Sequence, residues 1–205
     1  MRSKLLWKNE GNKMKIGVLA VQGAFIEHEG MLHKLGTSCI ELRQKSDLTS
    51  IDGIILPGGE STVQGKLLRN LDMFETLQSK IKEGLPVLAT CAGLILLAKN
   101  IEGDETRHLS TLPVTVKRNA YGRQLGSFQT IGSVGTIEDF PMTFIRAPYI
   151  TEASKDVTIL STVDSKIVGV QYKNQIGLAF HPEVTDDLRI HKLFLEIVQK
   201  HKEQG

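Results

Sequence analysis

The run VLATCAGLILLA, residues 87–98, constrains the fold more than any other segment of the chain. It is apolar almost from end to end, yet it falls short of the ~18–20 residues that cross a bilayer. A single cysteine, Cys91, sits in its middle between small residues. Ala89-Thr90-Cys91-Ala92-Gly93 reads as a tight turn. The run therefore divides into a buried strand over 85–90 and a helix over 92–100. A strand passing directly into a helix is the repeating unit of a parallel sheet covered by helices.

The first half of the chain repeats that unit. KIGVLAV (15–21) is a continuous, β-branched strand. AFIEHEGMLHKLG follows as a helix, with Ala24, His28, Met31, Leu32 and Leu35 on one face and Gly36 as its stop. SCIEL (38–42) and DGIILPGG (52–59) are further strands, and Ser61 or Thr62 caps the helix after the second. From about Pro113 to Phe180 the runs become short and strand-like: VTVKR, FQTIGSV, TFIRA, VTILSTV, KIVGVQY and IGLAF, with YKNQIG as a hairpin. They predict an antiparallel extension of the sheet. At the end, Ile190, Leu193, Phe194 and Ile197 mark a helix. Thr185 is its expected N-cap, and Asp186 and Asp187 suit the positive end of its dipole.

No repeat or low-complexity linker interrupts this pattern, so a single α/β domain is expected over residues 14–205. Residues 1–13 hold only the short apolar stretch Leu5–Trp7, far less than a signal-peptide core, and read as a leader or upstream extension before Met14. The 205 residues carry 25 basic and 23 acidic side chains, net +2, which gives no electrostatic footprint for nucleic acid. The chain reads as cytoplasmic and free of membrane segments, with Cys39 and Cys91 both reduced. His28 and His33 lie five apart and share no helix face, and no CxxC pair accompanies them, so no metal site is expected.

Three stretches hold candidate chemistry. Ligands of open α/β sheets bind at the carboxyl ends of strands, where Cys91 stands. A nucleophile on a strand-to-helix turn needs small neighbours, as in the G-x-S-x-G elbow. The helix N-terminus favours the thiolate, and the Ala92 N–H points where an oxyanion forms. Read alone, Cys91 stays open between this role and that of a buried structural thiol. The second stretch is FHPE. Pro182 is expected to keep it extended, so that Glu183 and His181 project to one side and the carboxylate orients the imidazole. The third is LPGGEST, whose two glycines let backbone N–H groups approach a ligand. Two rivals for it fit poorly: Val63 breaks a serine elbow at Ser61, and no lysine completes a phosphate loop.

Together these motifs resemble the class I (triad) glutamine amidotransferases, and more narrowly the glutaminase subunits of pyridoxal 5′-phosphate synthase. GVLAVQGAFIEH, LPGGEST, TCAGLILLAK, RNAYGRQLGSF, FIRAPYI and FHPE stand in the order of that family, from about Met14 onward. Ile95, where general triad amidotransferases carry glutamine, is similar to the pyridoxal-synthase branch. The resemblance implies a flavodoxin-like three-layer sandwich, with a mostly parallel central sheet and an antiparallel extension. It implies hydrolysis of L-glutamine to L-glutamate and ammonia, with Cys91 as nucleophile, His181 as base and then acid, and Glu183 orienting His181. Gly59 and Ala92 correspond to the oxyanion hole. Gly58, Gly59, Glu60, Ser61, Arg118, Arg146 and Ala147 correspond to the glutamine-binding positions, and Gln22 to the interface and activation region. The implied partner is the (β/α)₈-barrel synthase subunit, in a large hetero-oligomer that receives the ammonia; no cofactor is implied for this chain. One departure is Tyr149, which follows RAP where many relatives have histidine. Without the resemblance, Arg118, Arg123 and Arg146 read as ordinary surface charges.

Overall fold

Four short strands, β1 (Ile16–Leu19), β3 (Gly53–Leu56), β4 (Val87–Thr90) and β12 (Gln175–Leu178), are buried along their whole length. Apolar strands of this kind pair in parallel, since helices must cover both of their faces. In the computed structural model, which describes residues 14–118 and 126–204, they form the centre of a ten-stranded sheet. Residues 1–13, Arg123 and most of the RNAYGRQLGSF motif lie outside the described residues.

β2 (Cys39–Leu42) lies beside β1, and the order β2-β1-β3-β4-β12 runs parallel throughout. Beyond β12 the sheet turns antiparallel through β11 (Lys166–Tyr172), β9 (Tyr149–Ala153) and β6 (Leu112–Lys117), with β10 (Thr158–Val163) also on β11. The YKNQIG hairpin is present, with Tyr172 opposite Gln175 and Lys173 at φ 52°. FQTIGSV and the start of TFIRA, expected in the antiparallel extension, lie instead in β7 (Ser127–Val134) and β8 (Ile137–Ile145), which make a separate antiparallel pair.

Helices flank both faces. A side chain at Gly53 would meet Phe194 and Val198 of α5 (Arg189–Gln204), whereas Leu56, three positions along the same strand, meets Gly93 of α4 (Ala92–Leu97). Residues three apart on a strand point to opposite sides, so α5 and α4 cover opposite faces. α1 (Phe25–Lys34) packs with α5 through His28 and His191, and α2 (Ser61–Asn70) packs with α4 and with α3 (Phe74–Lys82). This is the expected α/β sandwich. No described helix is long and apolar enough to cross a membrane.

Several local expectations are corrected. The helix after Cys91 stops at Leu97, and Ala98–Ile101 becomes β5, because Ala98 turns extended (φ −56°, ψ 137°) to pair with β6. The cap of α2 is Glu60, whose carboxylate accepts from the N–H groups of Thr62 (3.3 Å) and Val63 (2.8 Å); Ser61 already lies inside the helix. Thr185 does not cap α5. It closes a short 3₁₀ turn at Pro182–Val184, and Asp187 instead accepts from the Arg189 N–H at 3.0 Å. The buried stripe of α5 is Ile190, His191, Phe194, Leu195 and Val198, with Leu193 and Ile197 at its margin. The periodicity did not mark α3, nor the 3₁₀ turn at Lys45–Ser50, whose Asp47 carboxylate accepts from the N–H groups of Arg43 and Gln44 before it.

Two glycine substitutions are expected to act with opposite sign. A Cβ on Gly93 would lie 2.1 Å from the Leu56 carbonyl oxygen, whereas one on Gly30, within α1, meets nothing within 4 Å. Gly93→Ala should therefore destabilise by about 1–3 kcal/mol through overpacking. Gly30→Ala should stabilise by about 0.5–1 kcal/mol through helix propensity. Urea denaturation of both variants against the parent checks the pair.

Candidate active site

Cys91 occupies the turn between β4 and α4 at φ 47°, ψ −99°, a left-handed conformation that L-residues rarely adopt. Such strain persists only where the surroundings fix it. Here the Cys91 N–H donates to the Leu178 carbonyl of β12 at 2.8 Å, and the close approach of Gly93 to Leu56 draws the turn down onto β3. Only 7% of Cys91 remains exposed, so its Sγ faces inward, 3.8 Å from the Ile145 carbonyl oxygen at the end of β8. The Ala92 N–H is the first of α4 and has no partner within the helix. Cys39, the other cysteine, is also a free thiol, at the start of β2.

His181 and Glu183 follow β12, the strand paired with β4. Their link differs from the expected one. Pro182 opens a 3₁₀ turn in place of an extended segment, and the turn brings Glu183 Oε1 to 2.7 Å from His181 Nδ1. The His181 N–H is anchored on the Thr143 carbonyl of β8 at 2.8 Å. Nε2 of the ring has no nitrogen or oxygen partner among the described residues; its neighbour is the Cys91 thiol. Burial opposes charge on this imidazole, but Cys91 on one side and Glu183 on the other outweigh it and raise its pKa to about 10. Burial would likewise raise the Glu183 carboxyl, yet His28 and His181 hold it below the usual range.

The glycine loop lies against this ring. A Cβ on Gly58 would sit 2.3 Å from His181 Cε1, so glycine is required there. The loop is tied from three directions. Gly58 N–H donates to Thr90 Oγ1 (3.0 Å), Ala24 N–H donates to the Gly58 carbonyl (3.0 Å), and Glu60 N–H donates to Gln22 Oε1 (2.9 Å). Gln64 adds a brace, its amide donating to the carbonyls of Gln22 and Pro57. Gln22, Gly58, Cys91 and His181 thus converge from the carboxyl ends of β1, β3, β4 and β12, where an open parallel sheet places its ligands.

The remaining candidates divide. Ala147 is buried and Arg146 is held at φ 44° by an N–H bond to the Gly126 carbonyl (2.7 Å), directly after the Ile145 carbonyl that contacts Cys91. Arg118 bonds Asp104 through Nη1 at 2.9 Å, while its buried Nε and Nη2 have no partner among the described residues. Glu60 is engaged with its helix, and Ser61 is buried at the first position of α2. Tyr149 begins β9 beneath the Lys166 ammonium. Thr90, Gln64 and His191 were not singled out by the sequence. His28 was legible only as a lone polar residue on an apolar helix face.

The fold that carries these residues is shared with the glutamine amidotransferases. A crystal structure of a glutamine amidotransferase, 40% identical, matches at a TM-score of 0.87 over 90% of this chain and 98% of its own. A glutamine amidotransferase from Thermotoga maritima, 18% identical with a TM-score of 0.60 over 93% of this chain and 86% of its own, shares the fold. The chain belongs to the SNO glutamine amidotransferase family, whose model matches residues 18–200. Relatives named pyridoxal 5′-phosphate synthase subunit PdxT include one from Desulfitobacterium hafniense (strain DSM 10664 / DCB-2), 63% identical over 90% of this chain and 94% of the relative. Another, from Streptococcus pneumoniae (strain CGSP14), is 50% identical over 93% and 100%.

The raised pKa of His181 has a definite consequence. The folded value, about 10, lies above the ~6.5 of an unfolded histidine. Its charge therefore contributes stability fully below pH 6.5 and loses that contribution as pH climbs toward 10. NMR of the His181 Cε1–H should show a midpoint near 10, lowered in Cys91→Ala. A wild-type midpoint near 6.5 would remove the case for a charged imidazole beside Cys91.

Proposed function

We propose that this chain is the glutaminase subunit of a pyridoxal 5′-phosphate synthase, with Cys91, His181 and Glu183 as its catalytic triad. The observation that carries the reading is the strained Cys91 turn facing an imidazole whose far nitrogen is locked at 2.7 Å onto a buried carboxylate. That arrangement activates a thiol for acyl transfer. Family membership supplies the amide donor, glutamine, and the relatives' names supply the synthase.

The reading entails the following steps. The Cys91 thiolate attacks the glutamine side-chain carbonyl, and the oxyanion takes N–H groups from Ala92 and Gly59. His181 Nε2 gives its proton to the leaving nitrogen, which departs as ammonia and leaves a γ-glutamyl thioester. Water then attacks the thioester, His181 accepts the water's proton, and L-glutamate is released with the thiolate restored. Glu183 keeps the ring oriented through both transfers. Gly58, Glu60, Ser61, Arg146 and Ala147 line the substrate's place, and the two uncommitted nitrogens of Arg118 suit the α-carboxylate of glutamine. Gln22, which accepts from the Glu60 N–H, is the residue through which a docking partner would act on the loop. The ammonia passes to the (β/α)₈-barrel synthase subunit in a hetero-oligomer, which protects it from loss to water.

In the resting state the Gly58 carbonyl is held by Ala24, which fixes the orientation of the Gly58–Gly59 peptide and of the Gly59 N–H. Docking that releases this peptide would turn the Gly59 N–H toward the oxyanion. The isolated chain should therefore hydrolyse glutamine slowly and the mixture with the synthase quickly. Equal rates would refute the activation step. Cys91→Ala should abolish glutamine hydrolysis in the mixture, by at least about 10³-fold, while still co-purifying with the synthase. Residual turnover near wild type would remove Cys91 from the mechanism.

A further inference from the structure

Behind the proposed triad lies a group of buried polar side chains that the steps above do not use. His28 of α1 and His191 of α5 are both fully buried, with Nδ1 of His28 2.9 Å from Nε2 of His191. The other nitrogen of His28, Nε2, lies 3.1 Å from Thr90 Oγ1 and 3.4 Å from Glu183 Oε2. That carboxylate oxygen has no hydrogen-bond partner among the described residues, since its twin faces His181. Thr90 Oγ1 in turn accepts from the Gly58 N–H. One imidazole therefore reaches both supports of His181: the carboxylate on its Nδ1, and the glycine loop packed against its Cε1.

The tautomer of His28 follows from its neighbours. Burial lowers the pKa of His28 despite Glu183 and lowers that of His191 further, so burial favours the neutral form of both rings. An ionised carboxylate only accepts. If Nε2 of His28 carried a lone pair, that lone pair would face Glu183 Oε2, and the Nδ1–H of His191 would be buried without an acceptor. The opposite assignment removes both conflicts; what it leaves is the Thr90 hydroxyl hydrogen, whose oxygen then accepts from both Gly58 and His28. His191 Nε2–H donates to His28 Nδ1, and His28 Nε2–H points between Glu183 and Thr90. His191 is then left with an unused acceptor, the cheaper of the two vacancies.

We propose that His28 is a positioning residue that sets the Glu183 carboxylate and, through Thr90, the Gly58 loop around His181, with His191 holding it in the donating tautomer. The proposal rests on the triad reading. It is tested on the chain bound to its synthase partner, with glutamine turnover and with iodoacetamide labelling of Cys91, which needs no substrate.

His28→Leu removes the donor, and His28→Gln returns an N–H near the place of Nε2. The expected result is a kcat lowered about 10- to 100-fold in His28→Leu, with KM within about threefold, and most of the rate recovered in His28→Gln. Labelling of Cys91 should slow and recover in the same order. A folded His28→Leu protein with unchanged kcat and labelling overturns the proposal. So does an equal loss in His28→Leu and His28→Gln, which would show that packing alone matters. If His28→Leu does not fold, His28→Asn, whose N–H falls near Nδ1, takes its place: it should be defective where His28→Gln is active, and equal activities overturn the idea. Failure of wild type to turn over glutamine, with the labelling order intact, would count against the glutaminase reading and leave the positioning role standing.

Discussion

The site depends on one pairing, the parallel register of β4 with β12. Leu178 lies beside Thr90, and the Cys91 N–H closes onto the Leu178 carbonyl. The chain then leaves the two strands in different ways. After β4 it turns sharply into α4, and after β12 it runs through Phe180 into the 3₁₀ turn that carries Glu183. Cys91 and His181 meet because these exits start level. A slip of one residue would reverse the faces of β12 and turn its buried residues toward the wrong layer. Full burial of both strands makes that slip costly, so packing and chemistry are secured by the same contact.

Much of this was legible in the sequence because apolar runs report burial directly. The four buried parallel strands, the α1 stop at Gly36, the hairpin at Lys173-Asn174 and the turn at Cys91 all follow from local composition. What was misread shares one cause: a local signal compatible with two outcomes, decided by a distant partner. Ala98–Ile101 is apolar enough to extend α4, but β6 offers a strand edge and takes it. Ser61 has the chemistry of a cap, yet the longer Glu60 side chain satisfies two N–H groups from one position further back. Pro182 fits an extended segment as well as a 3₁₀ turn, and the Thr143 carbonyl fixes His181 so that the turn results.

The positions of the candidate residues were more legible than their supports. Cys91, His181 and Glu183 stand in short motifs whose chemistry is visible in their letters. Thr90, Gln64 and His191 carry no such mark, because each acts through a residue far away in sequence: Gly58, Gln22 and His28 respectively. His28 was visible as a polar interruption of an apolar stripe. Only the packing of α1 against α5 shows why a histidine is tolerated there, since an unpaired buried imidazole is costly and this one is met on both nitrogens.

The same supports bear on how the loop moves. Two of its three ties, to Gln22 and to the Ala24 N–H, come from the segment between β1 and α1; the third, to Thr90, comes from the strand that ends at Cys91. Gly23 makes the first two possible. It stands at φ 106°, and a Cβ there would lie 1.9 Å from the Gly58 carbonyl oxygen. The loop is therefore fixed on the Cys91 side by a hydroxyl at the end of a buried strand, and on the outer side by a half-buried connecting segment. A force applied from outside reaches the outer ties first and leaves the Thr90 bond in place. Reorienting the Gly58–Gly59 peptide then requires loss of the Ala24 bond, while Gly58 keeps its place beside His181. In the proposed function, that asymmetry would let the Gly59 N–H move without disturbing the imidazole.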